Sequence, residues 1–120
     1  MDRASAAFVP PGRSVEDKRT VPPDPLFIFA RFHARDGCEG AVGAALHAVV
    51  VPTREERGCL AISAYRSVQD PRLFYIHSRW RDEAAFETHA TLPHTTKFIE
   101  LVQTLIDHPL EVTRARPIGP

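Results

Sequence analysis

The segment Leu26–Ala34, LFIFARFHA, constrains the fold more than any other part of the chain. Aromatic and aliphatic residues fall on both of its faces, as in a central strand covered on two sides. Asp36-Gly37 then turns the chain. From Glu39 to about Val51, Val42, Leu46, Val49 and Val50 recur at the spacing of an amphipathic helix. Pro52 is expected to kink or end that helix, Thr53 to cap one further turn, and Gly58 to stop it.

Two strands follow. In CLAISAYRS the residues Leu60, Ile62 and Ala64 alternate with Cys59, Ala61, Ser63 and Tyr65. Gln69-Asp70-Pro71 is a turn, and LFYIHSRW returns as the second arm of a hairpin. Asp82 caps the next helix, and Pro93 stands where a helix start tolerates proline. Phe98, Leu101, Val102 and Leu105 then make an apolar stripe, before an edge-like strand, LEVTRARPI, that Pro117 closes.

Strand–helix–strand–strand–helix–strand predicts an α+β domain of the ferredoxin-like βαββαβ plan, an antiparallel sheet with helices on one face. A sheet this apolar needs cover on its other face as well. A second copy, sheet facing sheet, supplies it most economically, so a homodimer is expected. Residues 26–120 form this domain. Residues 1–25, with Pro10, Pro11, Pro22, Pro23 and Pro25, are expected to be a mobile tail.

Composition removes several functions. Lys+Arg and Asp+Glu both number 15, so no net field draws phosphate backbones or anionic lipid, and neither nucleic acid nor membrane is an expected partner. Arg114 and Arg116 suggest a solvated strand face. The two cysteines, Cys38 and Cys59, fit no CxxC or zinc pattern and suggest a reducing compartment. No stretch has the length of a signal peptide's apolar core or a membrane span, and the cytoplasm is the expected address. Gly37-x-x-Gly40-x-x-Gly43 lacks dinucleotide-loop spacing. The six histidines show no H-E-x-x-H motif and no carboxylate at ligand spacing, so no metal is expected. His33, His47 and His108 are assigned to the surface or to strand ends.

Four short motifs remain: Pro52-Thr53-Arg54, Glu56-x-Gly58-Cys59, Trp80-x-Asp82-Glu83-Ala84 and His89-x-x-x-Pro93-His94. Their order and spacing resemble the antibiotic biosynthesis monooxygenase family of dimeric α+β barrels, over roughly Phe27 to Ile118. The resemblance implies the same fold and a cavity between sheet and helices near a dimer interface. It also implies a chemistry drawn from cofactor-free oxygenation, haem degradation or isomerisation of small metabolites. His89 and His94 match the family's H-x-x-x-x-H, and a neutral imidazole can take a proton from a phenol or hydroquinone, making it reactive toward oxygen. The plainer reading is two histidines satisfying backbone groups at an interhelical corner. Haem-degrading members use an asparagine, a tryptophan and a histidine where this chain has Ala30, His89 and Ile99, and the chain contains no asparagine. Many members also carry glutamate two residues before the tryptophan, where this chain has Ser78.

The expected function is thus cofactor-independent monooxygenation of a small phenolic or quinol-type compound with molecular oxygen. His89 and His94 would be catalytic. An isomerase or tautomerase, or a dimer that only binds a small molecule, is the alternative. The pocket face is left open between Tyr65 and His77 with Arg79, and Ala30, Phe32, Ser78 and Trp80, with core packing the plainer role for Trp80.

Overall fold

A computed structural model describes residues 24–119; all but the last two residues of the expected tail lie outside it. The elements are β1 (Leu26–His33), α1 (Glu39–Thr53), β2 (Cys59–Arg66), β3 (Leu73–Trp80), α2 (Glu83–Thr91), α3 (Pro93–Gln103) and β4 (Glu111–Ala115). The strands order β2-β3-β1-β4, every neighbouring pair antiparallel. This is the ferredoxin-like α+β plan, with β1 central and β4 at an edge. The second helical region is two helices, because Leu92 takes an extended conformation between Thr91 and Pro93. Proline disfavours helical backbone in the residue before it while starting a helix of its own.

Register decides which residues share a face. Leu26, Ile28, Ala30 and Phe32 on β1 stand opposite Trp80, Ser78, Ile76 and Phe74 on β3. All eight are buried, and the helices pack over them. The intervening residues form the other face, where Phe29 is 49% and Tyr65 54% exposed. The two-sided cover expected for β1 is therefore present within one chain on one face only.

Two local expectations are corrected. Cys59 does not share a face with Ala61: it pairs with Trp80 while Ala61 pairs with Arg79, a register shift that places Leu60 as an extra residue. Pro52 stands in the last turn of α1, and the helix ends one residue later at Thr53, as expected beside a residue that cannot donate to the helical ladder. Thr53 does not cap a new turn; it is buried, and its hydroxyl donates back to the Val49 carbonyl at 2.7 Å. Arg114 is also less free than expected, lying over the Phe86 ring and reaching Glu87 of α2 at 2.9 Å.

The core runs from Phe32, Phe74 and Ile76 on the sheet to Val42, Leu46 and Val49 of α1 and Phe98 and Val102 of α3. Phe32 and Phe98 meet edge to face at 5.8 Å. A smaller cluster of Leu26, Ile28 and Trp80 packs under Phe86 of α2. Between the two clusters the sheet and helices leave a space.

Candidate active site

The turn after α1 supplies the first functional side chain. Thr53 accepts the amide of Glu56 at 3.0 Å, and Glu56 accepts that of Cys59 at 3.1 Å. The Arg54 guanidinium donates twice to the Ile62 carbonyl, at 3.1 and 3.0 Å, pinning the turn to β2. Gly58 lies so close to α2 that a Cβ there would overlap the Cβ of Ala85. Hence the residue that lets α2 settle onto the turn is the smallest one. On α2, the Asp82 side chain accepts the Ala85 amide at 2.9 Å, capping the helix as expected.

This packing brings Glu56 to both histidines of the H-x-x-x-x-H motif. Glu56 Oε2 lies 2.7 Å from His89 Nδ1 and 2.7 Å from His94 Nε2. The three side chains are 11%, 12% and 26% exposed respectively. A carboxylate only accepts, so both facing ring nitrogens carry hydrogen. Neutral His89 therefore holds its proton on Nδ1, which leaves Nε2 as the free base. Thr95 Oγ1 stands 3.2 Å from the same Nδ1. Trp80, fully buried, backs the His89 ring at 4.7 Å between centroids, and its indole N–H donates to Ser78 Oγ at 3.0 Å.

His89 borders a cavity of about 270 Å³ between the sheet and the helices. Ala30, Phe32 and Ser78 line it from the sheet, Val49 and Phe98 from the helices, and Val112 from β4. Its walls are almost wholly apolar, with Ser78, Thr53, Thr95 and His89 as the polar exceptions. Thr53 is engaged with the Val49 carbonyl. Ser78 accepts from Trp80 and keeps its own hydroxyl proton to donate.

Of the two candidate faces, the one carrying Ala30, Phe32 and Ser78 lines this cavity. Trp80 shares that face but stands behind His89 and Ser78. Tyr65 and His77 do not line it: alternation turns both to the opposite side, where His77 packs against Phe29 at 5.0 Å. His94 does not border the cavity either; it reaches Glu56, which in turn bonds His89 at the cavity wall.

Glu56 is the residue to which sequence spacing assigned no role, although it sits in one of the four motifs. It lies 33 and 38 positions before its partners, beyond any local pattern. For the same reason the expectation that the histidines lack carboxylate partners is corrected. Glu56 serves two of them, and Asp107 serves His33 and His108 at 2.8 and 2.6 Å.

The charges leave marks on neighbouring groups. Burial, with the Glu56 carboxylate close by, pushes the Cys59 thiol up to about 11. Hydrogen bonds from His33 and His108 hold the Asp107 carboxyl down at about 2. Among the described residues no helix is long and apolar enough to cross a membrane.

Comparison with known proteins agrees with this fold. Residues 25–101 match the family model described as antibiotic biosynthesis monooxygenase. The chain is 32% identical over 94 residues to Rv0793 of Mycobacterium tuberculosis, named as a candidate monooxygenase, covering 78% of this chain and 92% of that protein. The solved structure of Rv0793 superposes with a TM-score of 0.75 over 80% of this chain and 97% of that one, at 30% identity. PA3566 of Pseudomonas aeruginosa gives a TM-score of 0.75 at 30% identity, over 80% and 96% of the two chains. With the family model spanning residues 25–101 and a relative 32% identical over 78% of this chain, the chain belongs to the antibiotic biosynthesis monooxygenase family.

Proposed function

We propose that this protein is a cofactor-independent monooxygenase of a small phenolic or quinol-type aromatic compound, with His89 as its base. The observation that carries the proposal is the 2.7 Å bond from His89 Nδ1 to Glu56 at the wall of an apolar cavity. Glu56 fixes the tautomer that leaves Nε2 free, and its charge stabilises the imidazolium formed when Nε2 takes a proton. His94, donating to the same carboxylate oxygen, is a positioning residue for Glu56. Ser78 offers its hydroxyl to a carbonyl or phenolic oxygen of the substrate.

The chemistry closes without a reductant. Deprotonation gives a resonance-stabilised anion that passes an electron to oxygen, and the two radicals combine as a hydroperoxide. For a substrate whose reactive carbon is a CH2 group, loss of water leaves a carbonyl. One oxygen atom stays in the product and the other departs in the water. Apolar walls keep bulk solvent from quenching the anion. At about 270 Å³ the cavity lies just below the roughly 300–1,000 Å³ typical of ligand pockets and suits one compact ring system.

The working unit is a homodimer. Phe29, Tyr65 and Tyr75 stand exposed on the sheet face away from the helices. Contiguous exposed aromatic surface of this kind marks an interface, and a second sheet would cover it.

The test is oxygen uptake by purified protein against hydroquinones and anthrones, run beside product formation under nitrogen. Uptake above the uncatalysed rate that falls in His89→Ala is the expected result. Product formed equally well under nitrogen overturns the oxygenase and favours isomerisation by the same base. A ligand that binds unchanged, with His89→Ala altering affinity only, overturns catalysis altogether.

A further inference from the structure

Glu56 Oε2, His89 Nδ1 and His94 Nε2 lie within 4.8 Å of one another. They come from three different elements: the pinned turn after α1, the end of α2 and the start of α3. Two imidazoles and one carboxylate are a donor set for borderline transition ions, whereas magnesium and calcium take oxygen-rich sites. We infer that these three atoms form a binding site for one divalent ion of the zinc class, and that the ion switches off the base at His89.

The geometry is within reach of coordination. Metal–ligand distances of about 2.0–2.1 Å set ligands about 3.0–3.4 Å apart around a shared ion. The two 2.7 Å separations at Glu56 must therefore open by about half an ångström, and the two ring nitrogens, which lie within 4.8 Å of each other, must come to the same spacing through side-chain rotation. Thr95 Oγ1, 3.2 Å from His89 Nδ1, stays beside the ion as an outer partner. Among the described residues neither His89 Nε2 nor His94 Nδ1 has a hydrogen-bond partner, so each is free to carry the proton that its metallated ring must keep. Missing outer partners of this kind cost roughly 10- to 100-fold in affinity, so the ion is held reversibly.

The other histidine cluster is less suited. At His33, His108 and Asp107, the second carboxylate oxygen is already taken by Arg72 at 3.0 Å, and a fixed cation at that distance opposes a second one. The side chains of Asp107 and His108 are also more exposed than the three at Glu56.

The switching half of the inference rests on the proposed base. In the free protein the Nδ1 hydrogen faces Glu56 and Nε2 is open. An ion on Nδ1 forces the hydrogen onto Nε2 and removes the only lone pair that could take a substrate proton. The ion is then an inhibitor of the site.

Isothermal titration of the chelator-stripped full chain with Zn2+, and with Mg2+ as control, tests the site. We expect one Zn2+ per chain and no Mg2+ signal. Glu56→Gln keeps an oxygen acceptor for both histidines while losing the anionic ligand. It should weaken Zn2+ by more than the roughly 10- to 100-fold that an outer partner is worth. The double variant His33→Ala/His108→Ala should bind as the wild type does. Absence of a Zn2+ signal, or binding unchanged in Glu56→Gln and lost in the double variant, overturns the site. Long-range 1H–15N spectra of His89 test the switch: a proton moving from Nδ1 to Nε2 on adding Zn2+ supports it, and an unmoved proton overturns it. Oxygen uptake by the stripped protein judges the base separately, since activity there is independent of whether Zn2+ binds.

Discussion

Glu56 Oε2 accepts a hydrogen bond from His89 Nδ1 at 2.7 Å, joining the turn after α1 to the last turn of α2. Removing a general base at this position should lower turnover by about 10²–10⁴-fold. His89→Ala is expected to fall in that range. Glu56→Gln, which retains an acceptor but not the charge, should fall less, with KM nearly constant. Steady-state oxygen uptake decides it, and a Glu56→Gln enzyme as fast as wild type would remove Glu56 from the mechanism.

Gly58 and Ala85 make the contact that seats this pair. A methyl group at position 58 overlaps Ala85, so either the turn or α2 must move. Gly58→Ala should cost about 1–3 kcal/mol, the usual penalty for overpacking, and should also disturb the Glu56–His89 bond. Gly40 offers the contrast, because a methyl group there meets nothing within 4 Å. Gly40→Ala should be neutral or gain about 0.4–1 kcal/mol. Urea midpoints of the two variants test the ranking.

Cys59 should be a sluggish thiol. With its pKa pushed up to about 11 by burial and by Glu56, little thiolate exists at pH 8. Alkylation by iodoacetamide should therefore be far slower than for a free cysteine, and should climb steeply between pH 8 and 10. In Glu56→Gln the carboxylate's contribution is gone and the reaction should quicken. Mass-spectrometric rates at Cys59 provide the measurement, and a fast, pH-flat reaction would contradict the burial.

Asp107 sets part of the acid limb of stability. Its carboxyl is held at about 2 against an ordinary value of 3.8, so the folded state favours the ionised form. That stabilisation is complete above about pH 5, where the unfolded carboxyl is almost fully ionised too, and fades as pH falls toward 2. Asp107→Asn should be less stable than wild type at pH 5, with the difference closing by pH 2. Melting temperatures across that range test the sign.

The exposed aromatic face predicts the assembly. Phe29→Asp places a charge among Tyr65, Tyr75 and His77, away from the core and from the cavity. Sedimentation should shift from dimer to monomer while far-ultraviolet circular dichroism is retained. A variant that remains dimeric would move the interface elsewhere.

The order of strands and helices was legible because each element carries its own local signal. Alternation marked the strands, the 3.6-residue stripe marked α1 and α3, and Asp82 and Pro93 marked helix starts. The H-x-x-x-x-H pair was equally visible, since α2 and α3 are adjacent and one proline sets the corner between them. Which face of the sheet lines the cavity was not legible. Phe29 and Phe32 are equally apolar, and only where the helices pack separates one face from the other. Nor could spacing join Glu56 to His89 and His94 across 33 and 38 residues. That meeting depends on Gly58 letting α2 down onto the turn and on Arg54 holding the turn to β2. Local patterns thus determined the elements and their order, while burial of the sheet's helix-covered face decided what the histidines touch.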